Sequence, residues 1–312
     1  MAGRMLHLGQ VVVDLTLYLR RLPERGGDVF ADQAGMQVGG GYNVLYAARR
    51  FGADAVYCGG LGEGGMADMC REALREIGVP AVGPLVAGVD QGYSVAMTEP
   101  SGERTFVSTR GAETMIGADS YSGLDVGAED VVYLSGYSYA HEKTTRALWE
   151  FARGSGAGVG RALFDVGPMV GDMMNEDLEV LRERVRPVWT VNEREAGILL
   201  RRLRMEARDP GEAAQRLCGE LRSAVIVRVG ADGAWVAPGV GAAGAVHVPS
   251  IAVRAVDTNG AGDAHSGVLA AALLEGLPLV RAVRLANVAG ALSTTVAGPA
   301  TAPTREEIER LA

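Results

Sequence analysis

Residues 257–263, Asp-Thr-Asn-Gly-Ala-Gly-Asp, are the most informative stretch of this chain. The β-branched run 251–256 precedes them, and the apolar segment 264–274 follows with the composition of a helix. Because Gly260 and Gly262 permit a tight turn, the pattern predicts a strand, a turn and a helix whose first N–H groups point out of the turn. Such a helix N-terminus favours a phosphate or a developing anion.

Asp263 lies in the first turn of the predicted helix. The helix dipole stabilises a carboxylate there, so we expect Asp263 to be ionised at neutral pH. An ionised carboxylate beside an anion site can take the proton of an attacking hydroxyl group, as phosphoryl transfer to an alcohol requires. A capped helix after a tight turn would explain one Asp and one Gly but not Asp257 and Thr258, so we interpret the stretch as functional.

Short apolar strands alternate with helical segments along most of the chain, which predicts an α/β fold with a parallel sheet covered on both faces. The predicted strands are 6–13 (ending near Asp14), 54–58, 131–135, 161–165, 188–191, 224–229 and 251–256. The predicted helices are 43–51, 66–77, 142–153, 177–185, 211–221, 261–274, 279–296 and a short one after Thr304.

Two segments have a different pattern. Residues 10–38 and 93–110 alternate polar and apolar side chains, which is typical of strands with one exposed face. We therefore assign them to a small β-rich lid on a single domain that spans residues 1–312. The Gly/Ala-rich stretch 238–245 is expected to be a surface loop.

The composition limits the classes of partner. The 312 residues carry a formal net charge of −8, which makes nucleic acid and anionic membranes poor partners. No apolar run is long enough to span a bilayer, and the N-terminal residues lack the pattern of a signal peptide. Three unpatterned cysteines indicate reduced thiols in or near the core. We expect a cytoplasmic protein with no nucleic-acid or membrane partner.

The stretch 257–263 and further motifs resemble the ribokinase-like carbohydrate kinase family (phosphofructokinase B type). These motifs follow the family's order over nearly the whole chain: Gly9 and Asp14; Gly39, Gly40 and Gly41 with Asn43; Gly102-Glu103-Arg104-Thr105; Phe164-Asp165; Asn192 with Glu195; Gly230 with Gly233; and residues 303–307. Residues 133–137 (Tyr-Leu-Ser-Gly-Tyr) and 164–168 (Phe-Asp-Val-Gly-Pro) are similar to a bacterial sugar-kinase subgroup of uncertain substrate.

The resemblance implies a three-layer ribokinase-like fold, with a central, mostly parallel sheet and a small lid, and ATP-dependent phosphoryl transfer to a hydroxymethyl group of a sugar. A ribonucleoside is the alternative acceptor. Lid closure over the bound substrate would exclude water. A second copy would cover the exposed apolar face of the lid, so we expect a homodimer.

The resemblance also implies residue roles. Catalysis would use Asp263 as the base and Gly260, Ala261 and Gly262 as the anion hole. Substrate hydroxyls would be bound by Asp14, Gly39, Gly40 and Asn43. ATP would be bound by Asn192, Arg228, Gly230, Gly233, Thr258 and Asn287. Mg²⁺ would be ordered through water by Asn192 and Glu195. A monovalent cation such as K⁺ is expected near Asp257 and the 297–301 loop.

Four positions have a second interpretation or depart from the family pattern. Asn192 and Glu195 also fit a capping box at the start of a helix, so a structural role and a metal role both remain open. Asn43 follows Gly39 by four residues where the family usually has five, so either one residue is missing here or Val38 replaces the first Gly. His265 replaces a residue that is commonly aromatic in the family, and we expect it to be buried and hydrogen-bonded, with a substrate or phosphate contact as the weaker alternative.

A different class of enzyme is a weaker alternative. Residues Gly60–Gly65 match the dinucleotide-binding pattern G-x-G-x-x-G between a strand and a helix, which would indicate an NAD-dependent enzyme. No acidic residue ends a second strand at the expected distance. A catalytically inactive sugar-binding module is a third interpretation, and the intact 257–263 stretch argues against it. The sequence lacks a Walker A motif, which argues against a P-loop kinase.

Overall fold

The structure is a computed structural model that describes residues 3–101, 103–157 and 159–312; Gly102 of the resemblance motif and the side chain of Arg104 lie outside the described part. The strands are β1 (Met5–His7), β2 (Val11–Tyr18), β3 (Gln33–Gly40), β4 (Ala55–Tyr57), β5 (Tyr93–Thr98), β6 (Arg104–Ser108), β7 (Val131–Ser135), β8 (Ala162–Asp165), β9 (Val188–Asn192), β10 (Val225–Arg228), β11 (Ala234–Ala237) and β12 (Val246–Val248). The helices are α1 (Gly41–Phe51), α2 (Gly65–Glu76), α3 (Glu142–Arg153), α4 (Asn175–Val180), α5 (Glu193–Arg202), α6 (Pro210–Leu221), α7 (Ala261–Leu274), α8 (Leu279–Ser293) and α9 (Arg305–Glu309).

A large, mostly parallel sheet forms the centre of the molecule. Its strand order is β12-β11-β10-β9-β8-β7-β1-β4 in the described part of the chain. Every pair from β10 to β4 in this order is parallel, and only β11 and β12 are antiparallel. Because the parallel strands end at one edge, the loops that follow them converge there.

Helices cover both faces of this sheet. Neighbouring residues of β1 illustrate the division, since Met5 belongs to one buried cluster and Leu6 to the other. The first cluster contains residues of α1, α2, α7 and α8, and the second contains residues of α3, α5 and α6. The predicted three-layer α/β fold is therefore confirmed.

A second, smaller sheet is built from the segments that the sequence assigns to the lid. Its order is β3-β2-β5-β6, with β2 and β5 parallel and the outer pairs antiparallel. By the pairing register, Asp14 and Phe106 lie on one face of this sheet, and Met36 and Val107 lie on the other. Whether this sheet moves as a lid stays a prediction.

Three predictions of strands are wrong in part or entirely. The predicted strand 6–13 is two strands, because the chain leaves the large sheet after β1 and pairs in the small sheet from Val11 onward; Asp14 consequently lies inside β2. Residues 26–32 are irregular, and β3 begins only at Gln33. Residues 251–256 form no strand, and the N–H groups of Val256 and Asp257 both donate to the carbonyl of Thr294 beside α8.

The remaining differences are small. The predicted helix 177–185 is α4 followed by a π-helical turn over Leu181–Val185, and α8 ends at Ser293. Residues 238–245 are a loop as predicted, and they connect β11 and β12, which the sequence did not reveal. The three cysteines are buried and unpaired, as expected. In the described part of the chain, no helix is both long and apolar enough to cross a membrane.

Candidate active site

Polar residues end three neighbouring strands of the large sheet. Asp165, Asn192 and Arg228 are the last residues of β8, β9 and β10, so the parallel arrangement places them side by side at one edge. Asp165 and Arg228 form an ion pair, with Nη2 3.2 Å from Oδ1. This edge is where open α/β sheets bind their ligands.

The N-terminus of α7 faces the same edge. Gly260, the residue before the helix, has φ +75°, and a Cβ there would lie 2.0 Å from the carbonyl oxygen of Pro299. Only glycine fits this position. The backbone N–H groups of Gly262 and Asp263 have no acceptor among the described residues. The helix therefore presents two free donors at its positive end, as an anion site requires.

Asp263 is held beside these donors by a residue far away in the sequence. The Nδ2 atom of Asn43, at the start of α1, donates to Oδ2 of Asp263 over 2.9 Å. Asn43 is 5% exposed, and its Oδ1 atom has no partner among the described residues. A buried acceptor next to the carboxylate that would act as the base is suited to a ligand hydroxyl group.

The pKa of Asp263 is higher than its place at a helix N-terminus suggests. Burial raises the pKa of this carboxyl from 3.8 to about 7, and the negative charge of Asp165 adds to the increase. The hydrogen bond from Asn43 and the charge of Arg228 oppose it without cancelling it. Desolvation therefore outweighs the helix dipole, and Asp263 has a pKa suited to a general base near neutral pH.

This shift predicts a pH dependence of both activity and stability. A base must be deprotonated, so kcat/KM is expected to rise as pH increases from 6 to 8. Because the pKa of Asp263 is raised on folding, the folded state holds this proton more tightly, and stability is lost as pH rises from about 4 to about 7. An Asp263→Asn variant lacks this loss, so its Tm should exceed that of the wild type by at least about 2 °C at pH 8 and by less at pH 5. Thermal unfolding scans at both pH values measure the difference, and a Tm difference that does not change with pH contradicts the prediction.

Close packing of α1 against α7 brings Asn43 and Asp263 together. At Gly267 of α7, a Cβ would lie 2.3 Å from the carbonyl oxygen of Val44 and 2.7 Å from Cβ of Ala47. The absence of a side chain thus lets the two helix backbones approach each other.

A Gly267→Ala substitution is therefore expected to destabilise the protein by about 1–3 kcal/mol, the usual cost of overpacking, although Ala has the higher helix propensity. Gly219 in α6 is the matched control because a Cβ there meets nothing within 4 Å. Gly219→Ala should raise stability by about 0.5–1 kcal/mol. Urea unfolding measures both changes, and equal effects of the two substitutions would contradict the packing argument.

Arg228 is the centre of a charged cluster beneath the site. Its Nη2 lies 3.6 Å from Oε2 of Glu195, and its Nη1 lies 3.3 Å from Oδ2 of Asp165 and 3.3 Å from Oγ of Ser266. Ser266 in turn donates to Asp165 over 2.6 Å. The cluster joins β8, β10 and α5 to the first turns of α7. Sequence reasoning gave no role to Asp165 or Ser266.

Asn192 and Glu195 form the complete capping box of α5. Oδ1 of Asn192 accepts from the N–H of Glu195 (2.9 Å), and Nδ2 and the backbone N–H of Asn192 donate to the two carboxylate oxygens of Glu195 (both 2.8 Å). The described residues contain no group of three or more His, Cys, Asp or Glu side chains that could hold a metal directly. The structural role as a capping box is therefore present, and a role of the pair in ordering Mg²⁺ through water stays a prediction.

The predicted substrate residues lie on the small sheet and beside α1. Asp14 in β2 touches the backbone of Gly39 in β3 so closely that a Cβ on Gly39 would lie 1.9 Å from its Oδ2. Burial raises the pKa of Asp14 to about 6. Gly40 has φ +60° and precedes α1, which begins two residues before Asn43. The charge of Asp14 also contributes to the raised pKa of Asp263, so the two carboxyl groups are close enough to interact.

Four of the predicted ATP residues lie farther along the same edge or in the adjoining core. Gly230 (φ +60°) and Gly233 (φ +101°) form the turn between β10 and β11, and at Gly233 a Cβ would lie 2.2 Å from the carbonyl oxygen of Val248. Asn287 of α8 donates to that same carbonyl over 2.8 Å, so its polar side chain is satisfied within the core. Thr258 is exposed on the turn before α7.

The glycine loop Gly60–Gly65 has its own structural partner. The carboxylate of Asp90 accepts from the N–H groups of Met66 (3.2 Å) and Ala67 (2.8 Å) at the N-terminus of α2. At Gly62, a Cβ would lie 2.0 Å from the carbonyl oxygen of Val89. A pyrophosphate would need the position that Asp90 fills, so the structure gives no support to the NAD-dependent alternative.

Two further side chains, those of His265 and Tyr137, belong to the region of the site. His265 is buried as predicted, but neither ring nitrogen has a hydrogen-bond partner among the described residues. Burial lowers its pKa to about 3, so it is neutral at pH 7. Tyr137 is 50% exposed near the carboxylates, and sequence reasoning noted it only as part of a similarity. Its position two residues after β7 is the signal that could have revealed it.

Comparison with known proteins identifies the family. The model of the pfkB family of carbohydrate kinases matches residues 4–306. An uncharacterized sugar kinase, YegV of Escherichia coli (strain K12), is 32% identical over 305 residues, covering 96% of this chain and 91% of that protein. An ATP-dependent ribose-1-phosphate kinase of Halopiger xanaduensis is 28% identical, covering 98% and 96%. The ribokinase structure from Thermotoga maritima has a TM-score of 0.81 at 24% identity and covers 99% of each chain.

The chain belongs to the pfkB family of carbohydrate kinases and has the ribokinase-like fold. It is an ATP-dependent kinase of the sugar and nucleoside kinase class.

Proposed function

We propose that the protein transfers the γ-phosphoryl group of ATP to a hydroxymethyl oxygen of a free sugar, with Asp263 as the general base. The observation that supports this most strongly is the placement of Asp263, whose pKa is raised to about 7, next to the free N–H donors of α7 and 2.9 Å from Asn43. A proton acceptor and an anion site then face the same small space.

The proposed reaction is an in-line transfer. The acceptor hydroxyl oxygen bonds to the γ-phosphorus as the bond to the ADP oxygen breaks, and the hydroxyl proton passes to Asp263. The N–H groups of Gly262 and Asp263 stabilise the negative charge of the transferring group, with Gly260 and Ala261 shaping the turn. Asn192 and Glu195 would hold Mg²⁺ through ordered water, and the ion would supply neutralisation of phosphate charge.

Binding of the acceptor is assigned to the polar groups that face Asp263. The carboxyl group of Asp14 and the unpartnered Oδ1 of Asn43 are both acceptors suited to sugar hydroxyl groups. Gly39 and Gly40 are assigned to the same region because the absence of a side chain at Gly39 lets the Asp14 carboxylate lie against the backbone of β3, where a Cβ would be 1.9 Å from its Oδ2. On the nucleotide side, Arg228, Gly230, Gly233, Thr258 and Asn287 remain the proposed ATP residues.

The first test is Mg·ATP-dependent release of ADP in the presence of pentoses, hexoses, keto-deoxy sugar acids or ribonucleosides. We expect turnover with a sugar and none without an acceptor. Turnover confined to ribonucleosides would show that the acceptor is a ribonucleoside rather than a free sugar. Absence of both turnover and ATP binding would contradict the proposal.

A monovalent cation is proposed near Asp257. Its carboxylate accepts from the N–H of Asn259 (2.9 Å) and of Gly298 (3.1 Å), so it joins the turn before α7 to the 297–301 loop. A cation that orders these loops would order the anion site that they support. The assay should accordingly run faster in KCl than in an equal concentration of tetramethylammonium chloride, and equal rates would contradict this assignment.

A homodimer is proposed through the outer face of the small sheet. Leu15, Met36, Val95 and Val107 lie next to one another on this face by the pairing register. Met36 is 48% exposed and Val107 is 56% exposed, and a second copy would remove this apolar area from water.

Replacing Val107 with Asp is expected to convert the dimer to a monomer, because the interface would bury an unpaired charge. Sedimentation velocity on the wild type and the variant measures this. A monomeric wild type, or a variant that remains dimeric, contradicts the assignment.

A further inference from the structure

Tyr137 is an aromatic residue at the edge of the large sheet where Asp165 lies. It follows β7 by two residues, and β7 lies between β1 and β8, the strand that ends at Asp165. Burial and then the charges of Asp263 and Asp165 raise the pKa of its hydroxyl to about 12. Tyr137 therefore lies at the edge of the sheet that carries Asp165, within electrostatic reach of both carboxylates, and half of the residue is exposed.

The backbone that carries Tyr137 is fixed. At Gly136, a Cβ would lie 1.7 Å from the carbonyl oxygen of Val166, so the loops after β7 and β8 are in direct backbone contact. The N–H of Tyr137 donates to Oγ of Ser135 over 3.4 Å, and Oγ1 of Thr145 in α3 donates to the carbonyl of Tyr139 over 3.3 Å. The side chain is consequently presented from a rigid position.

One part of the ring is covered and the rest is open. Gly167 has φ +65°, and a Cβ there would lie 3.7 Å and 3.8 Å from two ring atoms, so the ring rests beside its backbone. Among the described residues, none hydrogen-bonds to the Tyr137 hydroxyl. A half-exposed ring next to a polar site, without a partner of its own, offers apolar area to a ligand.

A second exposed aromatic residue lies on the small sheet. Phe106 of β6 is 58% exposed and lies on the same face of the small sheet as Asp14, since Phe106 pairs with Ala96 and Ala96 with Thr16. The small sheet thus carries an exposed aromatic ring on the face that holds Asp14, in addition to the ring of Tyr137 on the large sheet.

We propose that Tyr137 is a specificity-determining residue whose ring packs against the ring of the acceptor next to its reacting hydroxymethyl group. This inference rests on the proposed function and extends it, because it requires a cyclic acceptor with an apolar ring face. A furanose or pyranose has such a face, whether free or as the ribose of a nucleoside. Covering that face while Asp14 and Asn43 bind hydroxyl groups would orient the acceptor toward Asp263.

The test compares acceptor KM, ATP KM and kcat for the wild type, Tyr137→Ala and Tyr137→Phe, with the acceptor found in the ADP-release panel. Loss of the ring is expected to raise the acceptor KM by about tenfold or more, which corresponds to about 1.4 kcal/mol of lost binding free energy. The KM for ATP should change by less than about twofold. Tyr137→Phe keeps the ring and should recover most of the affinity. Tyr93 lies on the other face of the small sheet, and Tyr93→Ala is the control expected to leave the acceptor KM unchanged.

The outcomes separate this inference from the proposed function. An acceptor KM for Tyr137→Ala within about twofold of the wild type, in an enzyme that turns over normally, overturns the role of Tyr137 and leaves the kinase intact. Equal losses in the Ala and Phe variants assign the effect to the hydroxyl and also overturn the ring contact. Absence of turnover in the wild type contradicts the proposed function itself. Measurements with free sugars and with ribonucleosides in parallel show whether the ring that contacts Tyr137 is that of a free sugar or the ribose of a nucleoside.

Discussion

Replacing Asp263 with Asn is expected to lower kcat by at least about 100-fold while the fold remains intact. Asn has the same shape and retains an oxygen that can accept the hydrogen bond that Asn43 donates over 2.9 Å, so the contact between α1 and α7 survives. Asn cannot take a proton from the acceptor hydroxyl. The loss should therefore appear in kcat rather than in the acceptor KM.

Steady-state kinetics at saturating ATP and acceptor measure this effect. Asp54→Asn is a suitable control because the Asp54 side chain is 65% exposed on the surface, and its kcat should match the wild type. A kcat for Asp263→Asn within about tenfold of the wild type would remove Asp263 from the role of base. A variant that fails to fold would be recognised by its Tm, which we expect to exceed that of the wild type by at least about 2 °C at pH 8.

Replacing Gly260 with Ala is expected to lower kcat by about 100-fold through displacement of the anion site. The residue has φ +75°, and a Cβ would lie 2.0 Å from the carbonyl oxygen of Pro299. The carbonyl group of Pro299 belongs to the backbone and cannot rotate away as a flexible side chain can. The first turn of α7 or the 297–301 loop must therefore move. Such a shift would misplace the donors of Gly262 and Asp263, and a misplacement of about 1 Å can cost about 100-fold.

Gly276 at the other end of α7 provides a matched control. It also has φ +75°, but a Cβ there meets nothing within 4 Å. Both substitutions carry the cost of a left-handed conformation, about 1 kcal/mol, and only Gly260→Ala carries the clash. We expect Gly276→Ala to reduce Tm slightly and to keep kcat within about twofold. Equal kcat values for the two variants would show that the turn does not position the anion site.

The site was predictable from sequence where its residues are close together in the chain. Residues 257–263 contain a tight turn, a helix start and a carboxylate within seven positions, and the structure brings these together as expected. The alternation of strands and helices likewise predicted the large sheet, because the hydrophobic pattern of each element is local.

Properties that depend on distant contacts were not predictable. Asn43 and Asp263 are separated by 220 positions, and their contact depends on the close packing at Gly267, which no local pattern reveals. The raised pKa of Asp263 comes from burial and from Asp165 on another strand, whereas the helix dipole that suggested an ionised group is local. For the same reason residues 251–256, β-branched throughout much of their length, do not form a strand, since no neighbouring strand pairs with them.

The central claim is that the protein transfers a phosphoryl group from ATP to a sugar hydroxymethyl group with Asp263 as the base. Analysis of the acceptor after the reaction tests this claim most directly. Mass spectrometry and ³¹P NMR of the acceptor after incubation with Mg·ATP and the wild-type protein should show a phosphomonoester on its hydroxymethyl carbon, formed in equal amount to ADP. The Asp263→Asn variant should form at least about 100-fold less in the same time. Release of free phosphate without a phosphorylated acceptor, or equal product from the variant, would contradict the account.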